Sequence, residues 1–124
     1  MALRELNLSD AQKEQVKTIM RANHANMKTV MQQMEQNRAA LLAATANGQY
    51  DQAKIQALAA QQGQLQAAMI VNREAVQHQI YTQVLNSEQQ AKAEQLRTEH
   101  LNRINQHIQK MANGTDTAPP PPAN

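Results

Sequence analysis

The stretch Ala46-Asn47-Gly48-Gln49-Tyr50-Asp51 decides this fold. On either side of it the apolar residues keep helical spacing, back to Ser9 and forward to about Val84. Asn47-Gly48 supplies a stop, because glycine tolerates the left-handed conformation that follows a helix end. Asp51 can then accept from the free amides that open the next helix. Two long helices around one short turn make a hairpin. Working outward, Leu8-Ser9-Asp10-Ala11-Gln12 opens the first helix with a capping box. The Ser9 hydroxyl accepts from the amide three residues on, and Gln12 reaches back to the cap amide. Leu85-Asn86-Ser87-Glu88-Gln89 repeats that logic and opens a last helix, which runs to about Met111. Gly114 ends it, and Pro119–Pro122 lie in the chain that follows. The expected organisation is a helical domain over 1–112 and an extended, disordered Pro-rich tail over 113–124.

Composition agrees. The chain has 124 residues, which bounds it to about one domain, and its 41% hydrophobic content is led by Ala. Aromatics make up 2%, just Tyr50 and Tyr81, too few for an ordinary sandwich or α/β enzyme core. Good helix formers dominate, so the expected class is all-α: a long helical hairpin plus a third long helix. Gly63 inside the second helix costs roughly 1 kcal/mol relative to Ala. The apolar content is thin for a monomer, and dimerisation is the natural remedy. A formal net charge of +2 without aromatic platforms argues against nucleic acid as partner. The longest apolar runs are a few residues, too short for an integral membrane segment. Residues 1–5 carry no apolar signal segment, and the absence of Cys is compatible with an oxidising compartment.

Placed at 100° per residue, the first helix gathers Val16, Ile19, Met20, Met27, Val30, Met34 and Leu41 on one stripe. Lys13, Lys17, Arg21, His24, Lys28 and Arg38 fall along one flank of it. Met20, Met27, Met31 and Met34 are flexible and polarisable enough to pack against many partners. The adjacent cations would attract acidic segments of an unfolded chain. Taken alone, an apolar helical stripe more often means core packing with a solvated basic edge. The second stripe holds Ile55, Leu58, Leu65, Met69, Ile70, Val76, Ile80 and Val84, interrupted by Arg73 and Gln77, so it cannot be sealed everywhere in a dry core and these two join the candidate binding residues. The third holds Leu96, Leu101, Ile104, Ile108 and Met111, with His100 and His107 among them.

The two Leu-polar-x-x-Gln caps resemble the paired LTxxQ motifs of the Spy/CpxP family of periplasmic proteins. The first motif (Leu8, Ser9, Gln12) has Ser for the usual Thr, and the second (Leu85, Asn86, Gln89) has Asn, which caps at least as well. Leu6-Asn7 before the first motif, Tyr50-Asp51-x-Ala53-Lys54 at the second helix start and Ile80-Tyr81 before the second motif extend the likeness over roughly 3–111. The Pro-rich break that Spy and CpxP show after the first helix is missing, so a longer, straighter first helix is expected. The resemblance implies a periplasmic, ATP-independent chaperone that acts as a thin, elongated antiparallel homodimer. Unfolded or partly folded proteins would be its partners, held on the Met/basic surface. The alternative is an envelope-stress or metal-responsive regulatory protein, with a sensor kinase or a metal as its partner.

His100, His107 and Met111 are candidate metal ligands, since His107 and Met111 stand four apart. The metal-responsive relatives also use a His-x3-His pair on the first helix. Here His24 is followed four on by Lys28, whose charge would repel a metal ion. No resident metal or other cofactor is expected. The carboxylates are scattered, no Gly-rich phosphate loop occurs, and serine appears only at 9 and 87, so no catalytic constellation is legible.

Overall fold

The structure is a computed structural model that describes residues 2–114. It is all-α, with α1 (Asp10–Ala44), α2 (Gln52–Gln83) and α3 (Ser87–Ala112), preceded by a 3₁₀ turn at Leu3–Leu6. No strand occurs among the described residues. The expected tail lies, from residue 115 on, outside them. Two compact units divide the chain: a hairpin unit, Leu8–Leu85, and a unit made of the chain's two ends, Met1–Asn7 with Asn86–Asn124.

In the hairpin unit α1 is continuous for 35 residues, about 52 Å at 1.5 Å per residue, so the missing Pro-rich break does yield one long helix. It ends two residues earlier than its apolar spacing suggests. Asn47 takes a left-handed conformation (φ 58°) ahead of Gly48 (φ 76°), and Ala46–Gly48 form a 3₁₀ turn. The Thr45 hydroxyl donates back to the Leu41 carbonyl at 3.2 Å, satisfying one of the free carbonyls at the helix end. Asp51 caps α2, its Oδ1 accepting from the Lys54 amide at 3.2 Å.

The seam between α1 and α2 follows a seven-residue spacing, the pattern of a coiled coil. Val16, Asn23, Val30, Asn37 and Ala44 form one row on α1, and Met27, Met34 and Leu41 the other; all are at least partly buried. On α2 the rows are Ile55, Gln62, Met69 and Val76 beside Leu58, Leu65 and Asn72. Ile70, expected in the seam, is 51% exposed, because this spacing passes through Met69 and leaves its neighbour outside.

Three of these four rows therefore contain polar residues. Asn37 is 4% exposed, and its Nδ2 donates to the Leu58 carbonyl at 2.9 Å and to Gln62 Oε1 at 2.8 Å. Its Oδ1 is buried with no hydrogen-bond partner. An unmet acceptor costs about 1–3 kcal/mol, roughly what the two donated bonds return. Asn37 thus fixes register more than it adds stability, as a buried polar seam residue does in coiled coils. Asn37→Leu should leave the melting free energy unchanged or raise it by up to about 2 kcal/mol. A loss of that size in a urea melt would instead make the amide a net stabiliser.

The second unit is less covered. The first 3₁₀ turn buries Leu6, and α3 buries Gln89 and Ala93. Beyond Leu96, α3 is exposed along its whole length: Leu101, Ile104, Ile108 and Met111 are 42–56% exposed. The third apolar stripe therefore has no cover within the described chain from Leu101 onward.

Candidate functional site: a methionine groove and paired glutamine caps

Both capping boxes form. Ser9 Oγ accepts from the Gln12 amide at 3.1 Å while Gln12 Oε1 accepts from the Ser9 amide at 2.9 Å. Asn86 Oδ1 accepts from the Gln89 amide at 2.9 Å and Gln89 Oε1 from the Asn86 amide at 3.0 Å. Each glutamine also has a second task that its spacing does not reveal. Gln12 Nε2 donates to the Val84 carbonyl at 2.9 Å, covering a free carbonyl at the end of α2. Gln89 Nε2 donates to the Leu6 and Asn7 carbonyls at 3.3 and 3.4 Å, where the first 3₁₀ turn ends. Each motif's glutamine therefore caps its own helix and binds the backbone one or two residues ahead of the other motif's leucine, Leu85 (6% exposed) or Leu8 (half-buried).

Glutamine suits this work because its amide accepts and donates at once, which neither a carboxylate nor a serine of that reach can do. Ser9→Ala and Asn86→Ala remove only the cap acceptor. Each should lower stability by about 1 kcal/mol in thermal or urea melts. An unchanged melting temperature in the double mutant would show that the caps contribute nothing.

The hairpin unit also carries a groove of about 440 Å³, lined by Met20, Arg21, Asn23, His24, Met27 and Met31 of α1 and by Met69 and Asn72 of α2. It opens where the seam places short Asn23 and Asn72 in place of large apolar side chains. The bonds from Gln12 to Val84 and from Asn37 to Leu58 set an antiparallel register that brings Met69 opposite Met27. Met20 is half exposed at the rim.

Five of the residues proposed from sequence thus converge: Met20, Arg21, His24, Met27 and Met31. Met34 lies beyond the groove, half-buried in the seam, and Lys13, Lys17 and Lys28 are exposed along α1 outside its lining. Lys17 pairs with Glu14 at 3.3 Å, whereas Lys13, Arg21 and Lys28 form no ion pair among the described residues. Arg73 is exposed and lies 3.7 Å from Glu74; Gln77 is half-buried, and neither lines the groove. Sequence reading passed over Asn23, Asn72 and the role of Met69. Their signal was the seven-residue spacing, which counts position and not only hydrophobicity.

On α3, His100, His107 and Met111 are all exposed. Among the described residues no three His, Asp or Glu side chains come together in a way that could hold a metal ion. Titration with nickel, cobalt or zinc should accordingly find no site tighter than about micromolar. A stoichiometric submicromolar site lost in His107→Ala would overturn that expectation. No helix of the described chain is long and apolar enough to cross a membrane.

Two long hairpin helices and a third, with glutamine-bearing caps opening the first and last, define an all-α protein built on a repeated capping motif. The model of the LTXXQ motif family matches residues 1–97, and the chain belongs to that family, which comprises Spy/CpxP-like periplasmic proteins. No curated protein and no solved structure matches the chain.

Proposed function

We propose that this protein is an ATP-independent chaperone of the periplasm, a binding protein and not an enzyme, which holds unfolded or partly folded clients and prevents their aggregation. The observation that carries this reading is the groove: thioethers of Met20, Met27, Met31 and Met69 beside the unpaired cation of Arg21, with Lys13 and Lys28 exposed on the same helix. Methionine packs against irregular apolar shapes without demanding one geometry. Unpaired cations supply long-range attraction for acidic segments. Together they favour weak, promiscuous capture, which leaves a client free to fold. Membership of a family of Spy/CpxP-like periplasmic proteins supports the location and is shared by the chaperone and regulatory readings alike, so the role rests on the groove.

The working form is a homodimer. The uncovered stripe of α3 (Leu101, Ile104, Ile108 and Met111) needs a partner surface, and a second copy of the chain supplies one. Light scattering after size exclusion should give twice the chain mass of 13.8 kDa.

Function is tested by heat-induced aggregation of a denatured test protein, with neither nucleotide nor metal. Suppression near stoichiometric chaperone, unchanged by a chelator, is the expected result. No suppression, together with tight binding to an envelope sensor kinase, would make the protein a regulator instead.

A further inference from the structure

We propose that His24, Met27, Met31 and Met69 form a binding site for one soft monovalent cation, Cu(I) or Ag(I). All four side chains line the same groove. On α1, His24, Met27 and Met31 are three and four residues apart, the spacings that make side chains neighbours on one helix face. Met69 reaches the same level from α2, because the hairpin register opposes it to Met27. Met20 lies eleven residues from Met31, roughly 16 Å along the helix axis, too far for both to serve one ion.

The ligand chemistry selects the ion. Thioethers are soft and bind closed-shell monovalent copper and silver well, while imidazole is tolerated by both. No carboxylate lines the groove, and its hard side-chain donors are only the neutral amide oxygens of Asn23 and Asn72, too few to hold a hard divalent ion. Charge points the same way. Arg21 shares the groove and Lys28 follows His24 by four residues, and their repulsion is twice as large for a divalent ion as for a monovalent one. The absence of any cluster of three His, Asp or Glu among the described residues is therefore no objection, because this set is mostly sulfur. The site does not rest on the chaperone reading, which the chelator-insensitive aggregation assay decides separately.

The test is titration of the full chain with silver nitrate in chloride-free buffer, and with Cu(I) under anaerobic reducing conditions. One ion per chain is expected, undisplaced by equimolar zinc or nickel. Met27→Leu and Met69→Leu conserve volume and preserve the seam, which circular dichroism verifies, and each should weaken silver binding at least ten-fold. Arg21→Gln should tighten it a few-fold by removing repulsion. Wild-type affinity in both leucine variants would overturn the site. So would absence of 1:1 uptake, displacement by zinc, or loss of the ion in His107→Ala or Met111→Leu.

Discussion

Gln89→Glu should destabilise the protein by about 3 kcal/mol at neutral pH, well beyond either cap substitution. The carboxylate keeps the acceptor that binds the Asn86 amide but loses the donor that serves the Leu6 and Asn7 carbonyls. It also sets a charge against two carbonyl oxygens at a residue only 8% exposed. Burial and those oxygens disfavour ionisation, so the introduced carboxyl's folded-state pKa lies above its unfolded value. The sign follows from linkage. Below the unfolded pKa the carboxyl is protonated in both states, regains an O–H donor, and most of the deficit disappears. As pH rises through the folded pKa the deficit grows to its full size. Gln89→Ala, lacking any charge, should cost about 2 kcal/mol at every pH. Urea melts of wild type and both variants, at acid and neutral pH, read the difference directly. A pH-independent deficit in Gln89→Glu would remove the donor role from the second motif.

The second large effect concerns client capture, where charge and sulfur should fail in different ways. Replacing Lys13, Lys17, Arg21 and Lys28 by Gln keeps helix propensity and removes long-range attraction. Association with an acidic unfolded client should slow by ten-fold or more at low salt and lose its salt dependence, with dissociation changed much less. Arg21 should account for more of this than Lys17, whose charge is already met by Glu14. Replacing Met27 and Met31 by Ser should chiefly speed dissociation, since short-range apolar contact is lost. Met27 belongs to the hairpin seam, so circular dichroism must show that the Ser variant stays folded. Stopped-flow binding of a labelled client at low and high salt separates the two. Should the quadruple Gln variant bind as fast as wild type at low salt, the basic flank is merely solvated edge.

Local chemistry determined much of this protein directly. Ser9 and Asn86 start their helices, Asn47-Gly48 stops one, and Asp51 starts another, because each of these events is settled by backbone amides and carbonyls within four residues. The structure keeps all of them. The all-α class follows from the same short-range preferences, summed over long segments with almost no aromatics, no internal proline and little glycine. The stripes were legible as amphipathic faces, and the methionines and cations of α1 as a surface.

Which stripe is buried, and against what, was decided only by tertiary structure. Hydrophobic periodicity specifies a face but not its partner. The α2 stripe therefore meets α1, whereas the α3 stripe stays exposed over Leu101, Ile104, Ile108 and Met111. Asn23, Asn37 and Asn72 belong to no apolar stripe, and only the seven-residue register places them inside the seam. One of them locks that register, and two open the groove. The double role of Gln12 and Gln89 was beyond sequence for the same reason. Capping is a contact across three residues, but the bonds to Val84 and Leu6 join positions 72 and 83 residues apart. Only the folded path of the chain brings those carbonyls within reach of an amide.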